Sequence, residues 1–139
     1  MDETLTWMIP CRDRLDDLRV TLPRVVEQAQ LSPPVEVLVC DYNSGEAVGE
    51  YLAGMPVRSF RYTGRPYFHM AHARNLLVRA ATGDYLIPSA TDIWPHPKFF
   101  PLVRSLLAEG YDYLVLGGDR HPGVTIVRAS LFRELGGYD

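Results

Sequence analysis

The chain has 139 residues, 47% of them apolar and 22% charged, the balance of a globular domain and not of a disordered or fibrous chain. Its formal net charge of -3 offers no basic field to a nucleic-acid backbone, and no apolar run approaches the ~20 residues of a membrane span. Cys11 and Cys40 are too few for a disulfide framework or a cysteine-rich zinc site; both are expected as reduced thiols, and the chain as a cytoplasmic protein.

In chain order, residues 5–9 are apolar and β-compatible and stop at Pro10, ahead of a polar loop, Cys11-Arg12-Asp13-Arg14. From Leu15, apolar residues recur at Leu18, Leu22, Val25, Val26 and Ala29, the spacing of a helix, with Asp13 available as its cap and Asp16 and Asp17 in its first turn. Pro23 predicts a kink there, or two abutting helices. Residues 35–40 form a nearly continuous apolar run, expected of a strand covered on both faces, and end in the polar turn Asp41-Tyr42-Asn43-Ser44-Gly45. A short helix over 46–52 and a strand over 57–62 follow, then an aromatic and cationic segment up to Met70.

A helix is expected from about Ala71, with Ala73, Leu76, Leu77, Ala80 and Ala81 on one face, ending at Gly83. The run Tyr85-Leu86-Ile87 reads as a buried strand that delivers Ser89-Ala90-Thr91-Asp92 to a site. Phe99, Leu102, Val103, Leu106 and Leu107 stripe a further helix; strands over 113–116 and 124–127 and a last helical turn complete the chain. No repeat and no linker divides two cores, so residues 1–139 are expected as one domain. Alternating strands and helices predict an α/β sandwich around a mainly parallel sheet, whose ligands bind beyond the carboxyl ends of the strands. Three polar loops fall at such ends, 11–14, 41–44 and 89–92, and are expected to converge.

Asp41 has two compatible roles open to it: accepting a ring N–H such as that of uracil or guanine, or capping its own turn. Asp92 offers a hard oxygen suited to Mg²⁺ or Mn²⁺, or is a solvated turn residue. Arg12, Arg14, Arg65 and Arg74 lie in or beside the loops and could grip phosphate, Arg74 foremost because it sits near a helix N-terminus. His69 and His72 are better suited to capping or packing than to zinc, for want of a third ligand. Tyr67, Phe68 and Trp94 are either stacking surfaces or filler. The loop after the first strand has no glycine, unlike the triphosphate loop of a sugar-phosphate nucleotidyltransferase.

Four ordered stretches resemble the nucleotide-sugar-binding half of GT-A-fold glycosyltransferases, in particular the inverting family-2 enzymes. They are Ile9-Pro10-Cys11-Arg12-Asp13-Arg14; residues 36–44; Ala73-Arg74-Asn75 with Ala81-Thr82-Gly83-Asp84-Tyr85; and Leu135-Gly136-Gly137-Tyr138-Asp139. The resemblance implies a GT-A (Rossmann-like) three-layer sandwich that binds a nucleotide-sugar, a UDP-sugar foremost, for inverting transfer to the hydroxyl of a carbohydrate or other acceptor. It implies that Pro10, Cys11, Arg12, Arg14, Ala90 and Thr91 line the donor, that Asp41 reads the base and that Arg74 helps hold the diphosphate. The family's metal-binding Asp-X-Asp aligns with Ala90-Thr91-Asp92, which leaves Asp92 for Mn²⁺ or Mg²⁺ and no first carboxylate. Asn43 stands where the family has glycine, and Asp139 is the implied general base. The resemblance also implies that the acceptor-binding region which normally follows is not supplied, so the alternative reading is a noncatalytic nucleotide-sugar-binding or structural module.

Overall fold

The structure, a computed structural model, describes residues 3–118 and 121–138. Strand β1 (Leu5–Cys11) is buried along its whole length and lies inside the sheet. After it come α1 (Leu15–Leu31), β2 (Val35–Tyr42), α2 (Val48–Ala53), β3 (Arg58–Tyr62) and α3 (Met70–Ala80). Then follow β4 (Tyr85–Pro88), α4 (Phe99–Leu107), β5 (Tyr113–Gly118), β6 (His121–Arg128) and α5 (Ala129–Glu134). The sheet order is β3-β2-β1-β4-β6-β5. Strands β1 to β4 pair in parallel, and β6 pairs antiparallel to both β4 and β5, so only β6 runs against the rest.

Side-chain alternation sorts the strands' residues into two cores. Trp7, Ile9, Val37, Val39, Tyr85 and Ile87 pack under α1, α2 and α4, whereas Met8, Leu38, Cys40, Tyr42 and Leu86 pack under α3 and α5. The result is the expected three-layer arrangement. Helix α1 runs through Pro23 as one element and not as two abutting helices. Leu18 and Leu22 on one side of the proline and Val25, Val26 and Ala29 on the other are all buried, and that shared apolar face holds both halves on the sheet at the cost of one hydrogen bond.

Strand β1 extends two residues past its expected end, through Pro10. The carbonyl of Met8 accepts the Ser89 N–H at 2.8 Å, so alternate residues of β1 direct their backbone groups toward β4. Pro10 is the next residue on that side, and β4 has its last ladder partner at Pro88, opposite Met8. A proline therefore removes no ladder bond there. The chain steps outward from β1 to β2 and β3, then returns to the other side of β1 for β4; strand ends diverge at such a reversal and leave a crevice.

The opposite end of the sheet is fastened by Glu36. Its carboxylate accepts the Thr6 hydroxyl at 2.9 Å, the Thr82 N–H at 3.0 Å, the Thr82 hydroxyl at 2.9 Å and an Arg58 N–H. Burial alone would raise this carboxyl's pKa; the Thr82, Arg58 and Thr6 bonds outweigh burial and hold it below its ordinary 4.5. Among the described residues no helix is long and apolar enough to cross a membrane.

Candidate functional site

The loops after β1 and β4 meet the segment before α3 around a cavity of about 220 Å³. Its walls come from Pro10, Arg12 and Arg14; from Ala90, Thr91 and Asp92; and from Asp17, Phe68 and Met70. Thr91 is buried and its carbonyl accepts the Thr21 hydroxyl of α1 at 2.6 Å, which fixes the β4 loop while leaving Asp92 exposed. The side chain of Arg12 is three-quarters buried, and its Nη1 is shielded from solvent without a hydrogen-bond partner among the described residues. A buried guanidinium N–H in that state is costly until an anion or water meets it. Arg14 is exposed and 3.6 Å from Asp17.

The loop after β2 lines a different and larger cleft, of about 630 Å³, between α2 and the edge strand β3. The β1 and β2 loops meet through Asp13, but Asp41 and Asp92 line different cavities: Cys11 pairs with Asp41 in the ladder, and beyond it the β2 loop turns toward β3. Asp41 is 2% exposed. Its Oδ1 accepts the Ser44 N–H at 3.2 Å, the turn cap, and its Oδ2 accepts Arg61 Nη1 at 2.6 Å; Arg61 Nη2 also donates to the Ser44 carbonyl at 3.0 Å. Asn43 has φ 53°, a conformation that asparagine tolerates in place of glycine.

Asp13 joins the two loops. Instead of capping α1, whose N-cap is Arg14 with no side-chain bond, it accepts the N–H groups of Gly45 at 2.7 Å and Glu46 at 3.3 Å. Its own N–H donates to the Ser44 hydroxyl at 3.1 Å, and its φ of 51° turns the chain into that position. The Cys11 side chain is fully buried in the α1 core, as that of Cys40 is in the opposite one, which leaves the Cys11 backbone for any contact with a ligand. Burial pushes the Cys11 thiol up to about 11 and that of Cys40 to about 12.

Helix α3 is capped at its N-terminus by His69, whose ring accepts the His72 N–H at 3.0 Å. His72 packs against Tyr42 and Tyr62 and bonds the Tyr42 hydroxyl at 2.9 Å; these histidines cap and pack. Phe68 lies edge-on to Tyr42, Trp94 lies under Arg24, and Tyr67 is exposed. Arg74 does not line the Asp92 cavity; its guanidinium lies 5.5 Å from the centre of the Tyr138 ring, and its Nε is buried without a partner among the described residues. The neighbouring Asn75 clasps Tyr138 by two backbone bonds of 2.8 Å. Gly136 and Gly137 make the approach possible, at φ 90° and 80°; a Cβ on Gly137 would stand 2.6 Å from Asn75 Oδ1. Asp139 lies outside the described residues.

Among the described residues no three His, Cys, Asp or Glu groups gather around one point. Asp92, with Asp17 turned to Arg14, therefore fits only an ion that takes one carboxylate and completes its shell with phosphate oxygens and water, as Mg²⁺ does. Sequence reasoning missed Arg61, Asp13 as a bridge between loops, and Asn75 as a clasp. Alternation in the third strand placed Arg61 on a face, but only the register, Asp41 opposite Arg61, gives it a partner.

The model of the family described as Glycosyl transferase family 2 matches residues 6–133. No curated protein matches the chain significantly in sequence. Among solved structures, the S. aureus TarS 1-349 crystal structure is 15% identical with a TM-score of 0.77, over 97% of this chain and 50% of that one. TarS 1-349 in complex with UDP-GlcNAc is 14% identical with a TM-score of 0.81, over 97% and 48%. The mannosyltransferase PcManGT from Pyrobaculum calidifontis, in complex with GDP-Man and Mn²⁺, is 20% identical with a TM-score of 0.79, over 100% and 48%. The chain thus spans about half the length of these structures and shares their GT-A, Rossmann-like fold.

Proposed function

Because the chain belongs to glycosyl transferase family 2, we propose that residues 1–139 form the donor-binding domain of a glycosyltransferase, taking a UDP-sugar for inverting transfer to an acceptor hydroxyl. The observation that carries this reading is the unpartnered, buried N–H of Arg12 in a cavity that also holds Arg14 and Asp92 at the sheet's reversal point. A diphosphate satisfies that donor; Arg12 and Arg14 grip its oxygens, with Arg74 lending charge from α3. Asp92 would hold Mn²⁺ or Mg²⁺, whose charge, when bound, favours departure of the diphosphate. The nucleoside lies in the Asp41 cleft, where Glu46 and Glu50 disfavour phosphate. Asp139, next to the clasped Tyr138, takes the acceptor's proton as the hydroxyl oxygen attacks the anomeric carbon. Cytoplasmic conditions suit the two buried, unpaired thiols.

A second reading, a noncatalytic nucleotide-sugar-binding or structural module, is favoured by Ala90, which leaves the β4 loop with one carboxylate. Thermal unfolding with UDP, GDP and UDP-sugars, with and without Mn²⁺, tests the donor site. Ligand at ~100 times its dissociation constant adds about 2.7 kcal/mol, and Arg12→Met and Asp92→Ala weaken the gain. No stabilisation by any of these ligands sinks the reading. Donor hydrolysis or sugar transfer that is lost in Asp92→Ala rejects the noncatalytic alternative.

A further inference from the structure

Resting on the donor-site reading, we propose that Arg61 is a specificity-determining residue: with Asp41 it forms an acceptor–donor pair that selects uracil or guanine over cytosine or adenine. Asp41 is almost wholly enclosed, and the Arg61 side chain, 47% exposed, shares the wall of the same cleft. A base that reaches Asp41 through this cleft therefore meets Arg61 as well. Each Asp41 oxygen already accepts one bond, from Ser44 N–H and from Arg61, and each retains a second acceptor direction. Arg61 spends one N–H on Asp41 and one on the Ser44 carbonyl, which leaves three of its five donors. The pair presents a carboxylate acceptor beside a guanidinium donor.

Uracil and guanine carry the matching edge, a ring N–H beside a carbonyl: N3–H with O4, and N1–H with O6. Cytosine and adenine carry the reverse, a ring nitrogen acceptor beside an amino donor, which sets lone pair against lone pair at Asp41 and N–H against N–H at Arg61. The polarity is fixed, because Arg61 cannot lose its proton and the Ser44 carbonyl holds it in place. Asp41 alone would accept an N–H from the amino group of cytosine or adenine as readily as from a ring N–H. Arg61 supplies the rejection.

The test is titration of the chain with UDP, GDP, CDP and ADP, which differ in the base and its pattern but share the diphosphate. Wild type binds UDP and GDP roughly tenfold or more tighter than CDP and ADP. Arg61→Met brings the two groups within about threefold, chiefly by weakening UDP and GDP, and Arg61→Lys keeps part of the preference. Arg61→Met leaves the Asp41 carboxylate buried without its partner, so Asp41→Asn/Arg61→Met is measured beside it. That variant carries no stranded charge, and its amide presents either polarity, so its four affinities converge. Equal binding of all four by wild type, or an undiminished preference in both Met variants, overturns the role of Arg61 and leaves the donor site standing. Failure of wild type to bind any of the four overturns the donor site itself.

Discussion

Asp13 carries the joint between the β1 and β2 loops, and replacing it separates two contributions, its hydrogen bonds and its left-handed backbone. Alanine removes acceptors for Gly45 N–H at 2.7 Å and Glu46 N–H at 3.3 Å, and places a Cβ-bearing residue with no polar side chain at φ 51°. Two surface bonds to a carboxylate are worth together about 1–2 kcal/mol, and the left-handed backbone adds about 1 kcal/mol, so Asp13→Ala costs roughly 2–3 kcal/mol. Glycine loses the same bonds but relaxes the backbone, recovering about 0.5–1 kcal/mol after its own entropy cost. Asparagine keeps an acceptor and tolerates positive φ, and costs less than about 1 kcal/mol. Urea unfolding followed by the fluorescence of the buried Trp7 ranks the variants: wild type, Asn, Gly, Ala. Nucleotide affinity falls in the same order, because the joint holds the Arg12 and Asp41 loops to each other. An alanine variant as stable as wild type, or a glycine variant below alanine, refutes the reasoning.

Glu36 gives a pH signature. It releases its proton more readily in the folded chain than in the unfolded one, so its stabilisation is fully present above pH 4.5 and fades as pH falls through the lower folded value. Glu36→Gln then costs about 2 kcal/mol at pH 7, and the gap to wild type narrows between pH 5 and 3; a gap that stays constant refutes the assignment. Gly83→Ala drives a Cβ to 2.4 Å from the Thr6 hydroxyl and 2.9 Å from its backbone nitrogen, and lowers stability by about 2–3 kcal/mol in thermal melts. A neutral result would show that the β1–β4 junction is loose. Cys11 and Cys40, buried and with raised pKa values, escape thiol reagents at pH 8 in the native chain and react in urea; rapid native labelling of either contradicts its placement.

Much of the fold was legible because the clues are local. The apolar run 35–40 and the helical stripe over 15–29 each name their element from neighbouring residues, and the ordered motifs point to glycosyl transferase family 2, whose model matches residues 6–133. Of the two outcomes open at Pro23, division into two helices is excluded for a non-local reason: the sheet, absent from a local pattern, holds both halves of α1. The site was legible as loops and illegible as contacts. Arg12, Arg14, Ala90, Thr91 and Asp92 do share one cavity. Asp41 departs from it, and Arg74 turns to Tyr138.

By itself the sequence determined which segments are strands and helices, which faces are apolar and which strand ends carry charge, since periodicity and composition act over a few residues. Only the tertiary structure decided that Arg61 meets Asp41, that Asp13 reaches Gly45 and that Asn75 clasps Tyr138. Those pairs are 20, 32 and 63 residues apart, and they exist through strand register, a left-handed turn and two positive-φ glycines. Strand register is set by the packing of the whole sheet against its two helical layers, so no pattern along the chain could have named the partner that Asp41 acquires.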